Sequence, residues 1–114
     1  MTILTLANSK GGGGKTTIAA CLAAELSKSD NTVVLLDADP QRSLTTWHGN
    51  DSKLGELPLH TDASKKAAER AVDASKKAIV IVDIAGFATT TLTAILKVSN
   101  VVLIPCRVSA LDAR

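Results

Sequence analysis

Four consecutive glycines, Gly11 to Gly14, lie between Lys10 and Lys15 in the stretch ILTLANSKGGGGKTTIAACLAAEL, residues 3 to 26. Ordering a glycine costs roughly 0.5–1 kcal/mol more than ordering an alanine, yet the chain places four of its seven glycines in this loop. The flanks differ in period. Thr2 to Ala7 is short, apolar and β-branched and stops at Asn8-Ser9, which predicts a buried strand. After the glycines, Ile18, Leu22 and Leu26 recur every fourth residue with Cys21 beside them, the stripe of a helix from about Lys15 to Lys28. A strand that turns through glycines into a helix opens a βαβ unit, and the rest of the chain must supply its partners.

It does so with a repeating pattern. TVVLLDAD, Thr32 to Asp39, predicts a strand that ends in two aspartates and cannot pass Pro40. AIVIVD, Ala78 to Asp83, predicts another, apolar on both faces, and NVVLIP, Asn100 to Pro105, a further one. Between them, Thr61 to Ala78 and Thr89 to Val98 read as helices, the first capped by Thr61 or Asp62 with Ala63, Ala67, Ala71 and Ala74 as its apolar stripe. Residues 41 to 49 predict one or two helical turns closed by Gly49, residues 50 to 58 a loop, and Pro58 to Thr61 a short edge strand. Strand–helix–strand alternation requires right-handed crossovers and a parallel sheet. The expected fold is therefore α/β, a parallel sheet flanked by helices, in a single domain over residues 1–114. With aromatics at 2% the core must be aliphatic, as buried parallel strands prefer.

Composition narrows the classes further. A net charge of +2 and a pI near 8.7 permit nucleic-acid contact without arguing for it. Cys21 and Cys106, far apart and in apolar surroundings, read as two reduced core thiols. No signal peptide or run of about 20 apolar residues is visible, so no membrane is expected and the cytoplasm is the default. The word DASKK occurs at Asp62 and again at Asp73, eleven residues apart and close to three helical turns. On one helix both copies face the same way, either as a basic face for DNA or as a solvated face with Lys65–Glu69 ion pairing. Ser109 and Asp112 announce a helix start near Arg114, which reads as an apparent truncation at the C-terminus.

In an open parallel sheet, ligands bind at the carboxyl ends of the strands, which is where the glycine run falls. Glycines let successive amides turn toward an anion, and the following helix adds its unpaired N-terminal amides and positive dipole end. A lysine directly after the glycines reaches β- and γ-phosphates, and a neighbouring hydroxyl can ligate Mg²⁺. Lys15 and Thr16 occupy those places. The general pattern G-x-x-x-x-G-K-[ST] is missed at its first glycine, which is Ser9 here. SKGGGGKTT instead resembles the deviant Walker A motif, K-G-G-x-G-K-[ST]-[ST], of the ParA/MinD superfamily of P-loop ATPases. VVLLDADPQ, Val33 to Gln41, resembles that family's D-x-D-P-Q strand, and IVIVDIAG, Ile79 to Gly86, its Walker B strand. A single strand-end aspartate is as often a cap or turn residue; three motifs in family order carry more weight. SLTTW and VVLIPCRVSALD further resemble the plasmid-partition ParA branch, over nearly all of this chain but only about the N-terminal half of a usual member.

The resemblance implies a Mg-ATPase with ATP and Mg²⁺ as cofactors. It implies that the amides of Gly11, Gly12, Gly13, Gly14 and Lys15 cradle the phosphates and Lys15 pairs with them. It implies that Thr16 ligates Mg²⁺, Thr17 bonds the α-phosphate, Asp37 and Asp83 hold Mg²⁺ through waters, and Asp39 handles the attacking water. Lys10, on the outer rim of the loop, reaches in that family across a two-fold dimer onto the partner's nucleotide; the alternative for Lys10 alone is a solvent-exposed lysine. The implied function is plasmid or chromosome partitioning through an ATP-dependent homodimer, a ParB-like adaptor and non-specific DNA, in the cytoplasm at the nucleoid. Other readings are a MinD-like division-positioning ATPase, which needs a C-terminal amphipathic helix, a conjugative-transfer ATPase, an iron–sulfur ATPase, which needs cysteines soon after Asp83, a small-molecule ligase of the same fold, and an inactive nucleotide-binding fragment. Gly13 stands where the family commonly has a small apolar residue, which loosens the loop. Ile84 stands where threonine is frequent, which is expected to remove a hydroxyl near the Mg²⁺ shell.

Overall fold

Two core layers sort the apolar residues by the parity of their strand positions, because successive side chains of a strand point to opposite faces. The computed structural model describes residues 2–8, 13–50, 54–85 and 89–104. Its strands are β1 (Thr2–Asn8), β2 (Val33–Asp37), β3 (Leu59–Thr61), β4 (Ile79–Ala85) and β5 (Val101–Leu103). Its helices are α1 (Gly13–Ser27), α2 (Ser43–Asn50), α3 (Ala67–Ser75) and α4 (Thr90–Val98), with a 3-10 turn at Leu54–Glu56. Leu6, Val33, Leu35 and Ile81 pack on one sheet face with Ala19 and Ala23 of α1 and Leu44 of α2. Ile3, Ala7, Leu36, Val80, Val82 and Ile84 pack on the other with Ala67, Ala68 and Ala71 of α3 and Ile95 of α4. Each fully buried aliphatic side chain contributes about 1.5–3 kcal/mol.

All strand pairs are parallel, and the order across the sheet is β3-β2-β4-β1-β5. From β1 the chain moves outward through β2 to β3, then returns to insert β4 between β2 and β1, and finally adds β5 beyond β1. The direction of travel reverses once. With right-handed crossovers, a reversal puts the connecting helices on opposite faces, which is why α1 and α2 share one face and α3 and α4 the other. The crossovers that leave the adjacent strands β1 and β4 run in opposite directions, so a crevice opens between their carboxyl ends. The expected α/β parallel sheet flanked by helices is the observed one.

Several boundaries differ from the sequence expectation. The helix expected from Thr61 begins at Ala67. Thr61 is held in β3 opposite Asp37, and the Asp62 amide donates to the Asp37 carbonyl at 3.0 Å. The Asp62 carboxylate then accepts from the Ser64 amide at 2.8 Å and from the Ser64 hydroxyl, closing a turn in place of a helix cap. Consequently the first DASKK copy precedes α3 and the second straddles its end, and the two do not share a helix face. Ala63 is exposed, while Ala67 and Ala71 are buried as expected. Among the described residues the ion pairs here are Arg70 with Asp62 at 2.6 Å and Lys76 with Asp73 at 3.4 Å, not Lys65 with Glu69. Among the described side chains of α1 the buried ones are Ala19 and Ala23; Ile18 and Cys21 are exposed, so Cys21 is not a core thiol. Alanines let the helix approach the sheet closely, and the larger Ile18 and Cys21 turn outward. Cys106 and the helix signal at Ser109 and Asp112 lie outside the described residues. No described helix is long and apolar enough to cross a membrane.

Candidate functional site

Helix α1 starts at Gly13, so Gly13, Gly14, Lys15 and Thr16 form its first turn. The four amides of a first turn have no intrahelical acceptor, and the helix dipole makes this end electropositive. The turn follows β1 at the mouth of the crevice between β1 and β4, and no acidic residue lies in it to compete with an anion. Lys10, Gly11 and Gly12, and the side chains of Lys15 and Thr16, lie outside what the structure describes, as does Gly86. Thr17, one residue further on, is exposed.

The aspartates meet on the neighbouring strands. Asp37 ends β2 and stands in direct register with Asp83 of β4. Leu35 and Ile81, two residues earlier in each strand, belong to the α1–α2 face, so alternation puts both carboxylates on that face, beside the start of α1. Adjacent strands lie about 4.8 Å apart, and Asp37 and Asp83 are 1% and 0% exposed. Asp39 is also buried, two residues past the end of β2. The structure thus brings Asp37, Asp39 and Asp83 to one end of the sheet.

Their surroundings are not equivalent. Asp37 Oδ2 accepts from the Thr45 amide at 2.9 Å and from the Thr45 hydroxyl at 2.5 Å, while Oδ1 accepts from the Asp39 amide at 3.1 Å. The carboxylate therefore caps the first turn of α2 from a neighbouring strand. Asp39 Oδ1 accepts from the Gln41 amide at 2.9 Å, and its carbonyl accepts from the Arg42 amide at 3.0 Å. Those two bonds fold residues 39–42 into a tight turn ahead of α2. Thr45 was not among the residues singled out by sequence reasoning. The available signal was a threonine in the first turn of a helix just after strand-end aspartates, where a hydroxyl reaches back to a carboxylate.

Ile84 corrects one expectation. Its side chain is buried in the layer with α3 and α4, on the sheet face opposite Asp83. An isoleucine there takes a core position and does not thin a shell around the aspartates.

Two buried carboxylates in register repel each other unless a cation lies between or beside them. Among the described residues, no group of three or more His, Cys, Asp or Glu side chains is arranged to hold a metal. A protein cage for Zn²⁺ or Ca²⁺ is therefore absent from these residues. Mg²⁺ has other needs: it keeps several waters and takes one or two carboxylates together with phosphate oxygens. An Asp37–Asp83 pair beside a helix N-terminus, with a hydroxyl at Thr16 in the sequence, fits that donor set.

Comparisons with known proteins bear on the family and the fold. Residues 4–111 match the model of the CobQ/CobB/MinD/ParA nucleotide binding domain. The chain is 38% identical over 119 residues to Protein ParA of Rhizobium radiobacter, covering 99% of this chain and 52% of that protein. It spans about half the length of such curated relatives. Among solved structures, a plasmid partition protein from Borrelia burgdorferi superposes with a TM-score of 0.75 at 24% identity, over 98% of this chain and 68% of that one. A partition protein from strain B31 of that organism, bound to AMPPNP, gives 0.66 at 22% identity over 91% of this chain and 62% of that one.

Proposed function

This chain belongs to the CobQ/CobB/MinD/ParA nucleotide-binding domain family, and from that premise we propose that it is a Mg²⁺-dependent ATPase of the ParA type. It would act in plasmid or chromosome partitioning by ATP-dependent dimerisation and ATP hydrolysis, with residues 1–114 forming one nucleotide-binding unit. The observation that carries this reading is the register pair of buried carboxylates, Asp37 and Asp83, beside the first turn of α1. An adenine nucleotide is the ligand favoured by the AMPPNP-bound neighbour.

Roles follow from charge and position. The amides of Gly11 to Lys15 hold the phosphates, Lys15 neutralises them from within the loop, and Thr17 bonds the α-phosphate. Thr16, with Asp37 and Asp83 through waters, holds Mg²⁺; when bound, the ion offsets charge that builds on the phosphate oxygens. Asp37 has little capacity for a direct bond, since three of its roughly four lone-pair directions are used; a water-mediated hold suits it. Asp39 orients the attacking water or takes its proton. Lys10 contributes to the nucleotide of a second copy. For the whole protein, the expected partners are a ParB-like adaptor and non-specific DNA, in the cytoplasm at the nucleoid.

The test is ATP hydrolysis by the protein with Mg²⁺, alone and with duplex DNA and a ParB-like partner. Mg²⁺-dependent turnover that DNA and partner increase supports the reading. Nucleotide binding with no turnover under any of these conditions removes the ATPase part of it.

A further inference from the structure

Asp37 is fixed by more hydrogen bonds than a helix cap requires. The bond from the Thr45 amide to Oδ2, at 2.9 Å, is by itself the bond of a helix cap. The Thr45 hydroxyl adds a second bond to the same oxygen, and with two donors Oδ2 has no lone pair to spare. Oδ1 accepts one bond, from the Asp39 amide, and keeps one lone pair among the described residues. The plane of the carboxylate and the one direction it has left are thus set from α2. The same carboxylate holds the backbone at Asp39, whose own Oδ1 is turned back onto Gln41. A chain of bonds therefore runs from the half-buried Thr45 hydroxyl through the buried Asp37 to the backbone of the buried Asp39.

We propose that Thr45 is a positioning residue of the nucleotide site: its hydroxyl orients the Asp37 carboxylate toward hydrated Mg²⁺ and, through Asp37, sets the placement of Asp39. This rests on the Mg²⁺–nucleotide reading above. It also makes α2 part of the site, since any shift of that helix moves the carboxylate with it. Partners of carboxylates that ligate a metal directly are typically worth about 10–100-fold in metal affinity; since Asp37 acts through water, the size of effect to look for is the lower end of that range, about tenfold.

Thr45→Val keeps the shape and the amide but removes the hydroxyl, and Thr45→Ser restores a hydroxyl in a smaller side chain. Calorimetry with ADP, with and without Mg²⁺, gives for each protein the factor by which Mg²⁺ strengthens nucleotide binding. The expected result is that Thr45→Val binds Mg²⁺-free ADP like wild type but loses about tenfold or more of the Mg²⁺ factor, while Thr45→Ser stays near wild type. A Val variant with an undiminished Mg²⁺ factor overturns the proposal and leaves Thr45 as a helix cap. If the Val variant does not fold, Thr45→Ala replaces it; failure of both to fold makes Thr45 part of the scaffold and overturns the proposal as well. A wild-type protein with no Mg²⁺-dependent nucleotide binding overturns the functional reading itself, and this proposal with it.

Discussion

Arg42 holds a backbone angle that its side chain makes costly. Its φ is 55°, in the left-handed region, where a residue with a Cβ is roughly 1–2 kcal/mol worse off than in the right-handed one. The angle is needed because the Arg42 amide must reach the Asp39 carbonyl while its own carbonyl accepts from Thr46. Arg42→Gly should raise stability by about 0.5–1 kcal/mol, the relief of strain less the extra chain entropy of glycine; a urea midpoint that falls would mean that the arginine side chain compensates for its backbone. Asp39, at the other end of this turn, carries the chemistry in the proposed reaction. Asp39→Ala should bind Mg–ATP yet hydrolyse it at least 100-fold more slowly, as loss of a general base implies, and wild-type turnover would move that role to Asp37. The aspartates were legible in the sequence because each follows an apolar run, and the carboxyl end of a parallel strand is the ligand end of the sheet, although β2 stops at Asp37, two residues before Asp39, and β4 continues to Ala85. Thr45 was not, because a hydroxyl–carboxylate bond across eight residues depends on how α2 docks.

At the level of elements, β2 and β4 were plain from sequence because both their faces are covered, which leaves unbroken apolar runs. Helix α3 was overextended by six residues at its start. The alanine spacing in residues 63–74 fits a helix equally well throughout, but sheet pairing at Thr61 and the turn at Asp62 decided the boundary. That turn has a titration consequence. The hydrogen bond from the Ser64 hydroxyl foremost, with those from the Ser64 amide and Arg70 and the Arg70 charge, holds the Asp62 carboxyl below its ordinary pKa, although burial, second in size, opposes the shift. A depressed pKa stabilises the fold above the unfolded value, near 3.9, and that stability is lost as pH falls through the folded value. Asp62→Asn should therefore cost roughly 0.5–1 kcal/mol at pH 7, with the gap to wild type closing below about pH 4. Chemical denaturation of both proteins at pH 7 and pH 3 checks this; a gap that is constant with pH would assign the effect to the turn's shape and not to its charge.

For the whole molecule, the parallel sheet followed from alternating elements, whereas the order β3-β2-β4-β1-β5 had no local signal, since insertion of β4 between β2 and β1 is set by long-range packing. That insertion is what places Asp83 in register with Asp37, on the sheet face that α1 covers. The proposed shared-site dimer belongs to this scale too. In the full protein, Lys10→Ala should leave nucleotide affinity of the monomer nearly intact but abolish sedimentation as a dimer with a slowly hydrolysed ATP analogue, because Lys15 already neutralises the phosphates from within. A variant that dimerises like wild type makes Lys10 an ordinary surface lysine. The claim on which all of this depends is that the start of α1 and the aspartate pair form one Mg²⁺–nucleotide site. The most direct test is calorimetric titration of Mg–ATP into wild type and Lys15→Ala. The account predicts one nucleotide per chain for wild type and a loss of about tenfold or more in affinity for the folded variant, since a charge-assisted phosphate contact is worth about 1.5–3 kcal/mol. Equal affinities in two well-folded proteins would contradict it.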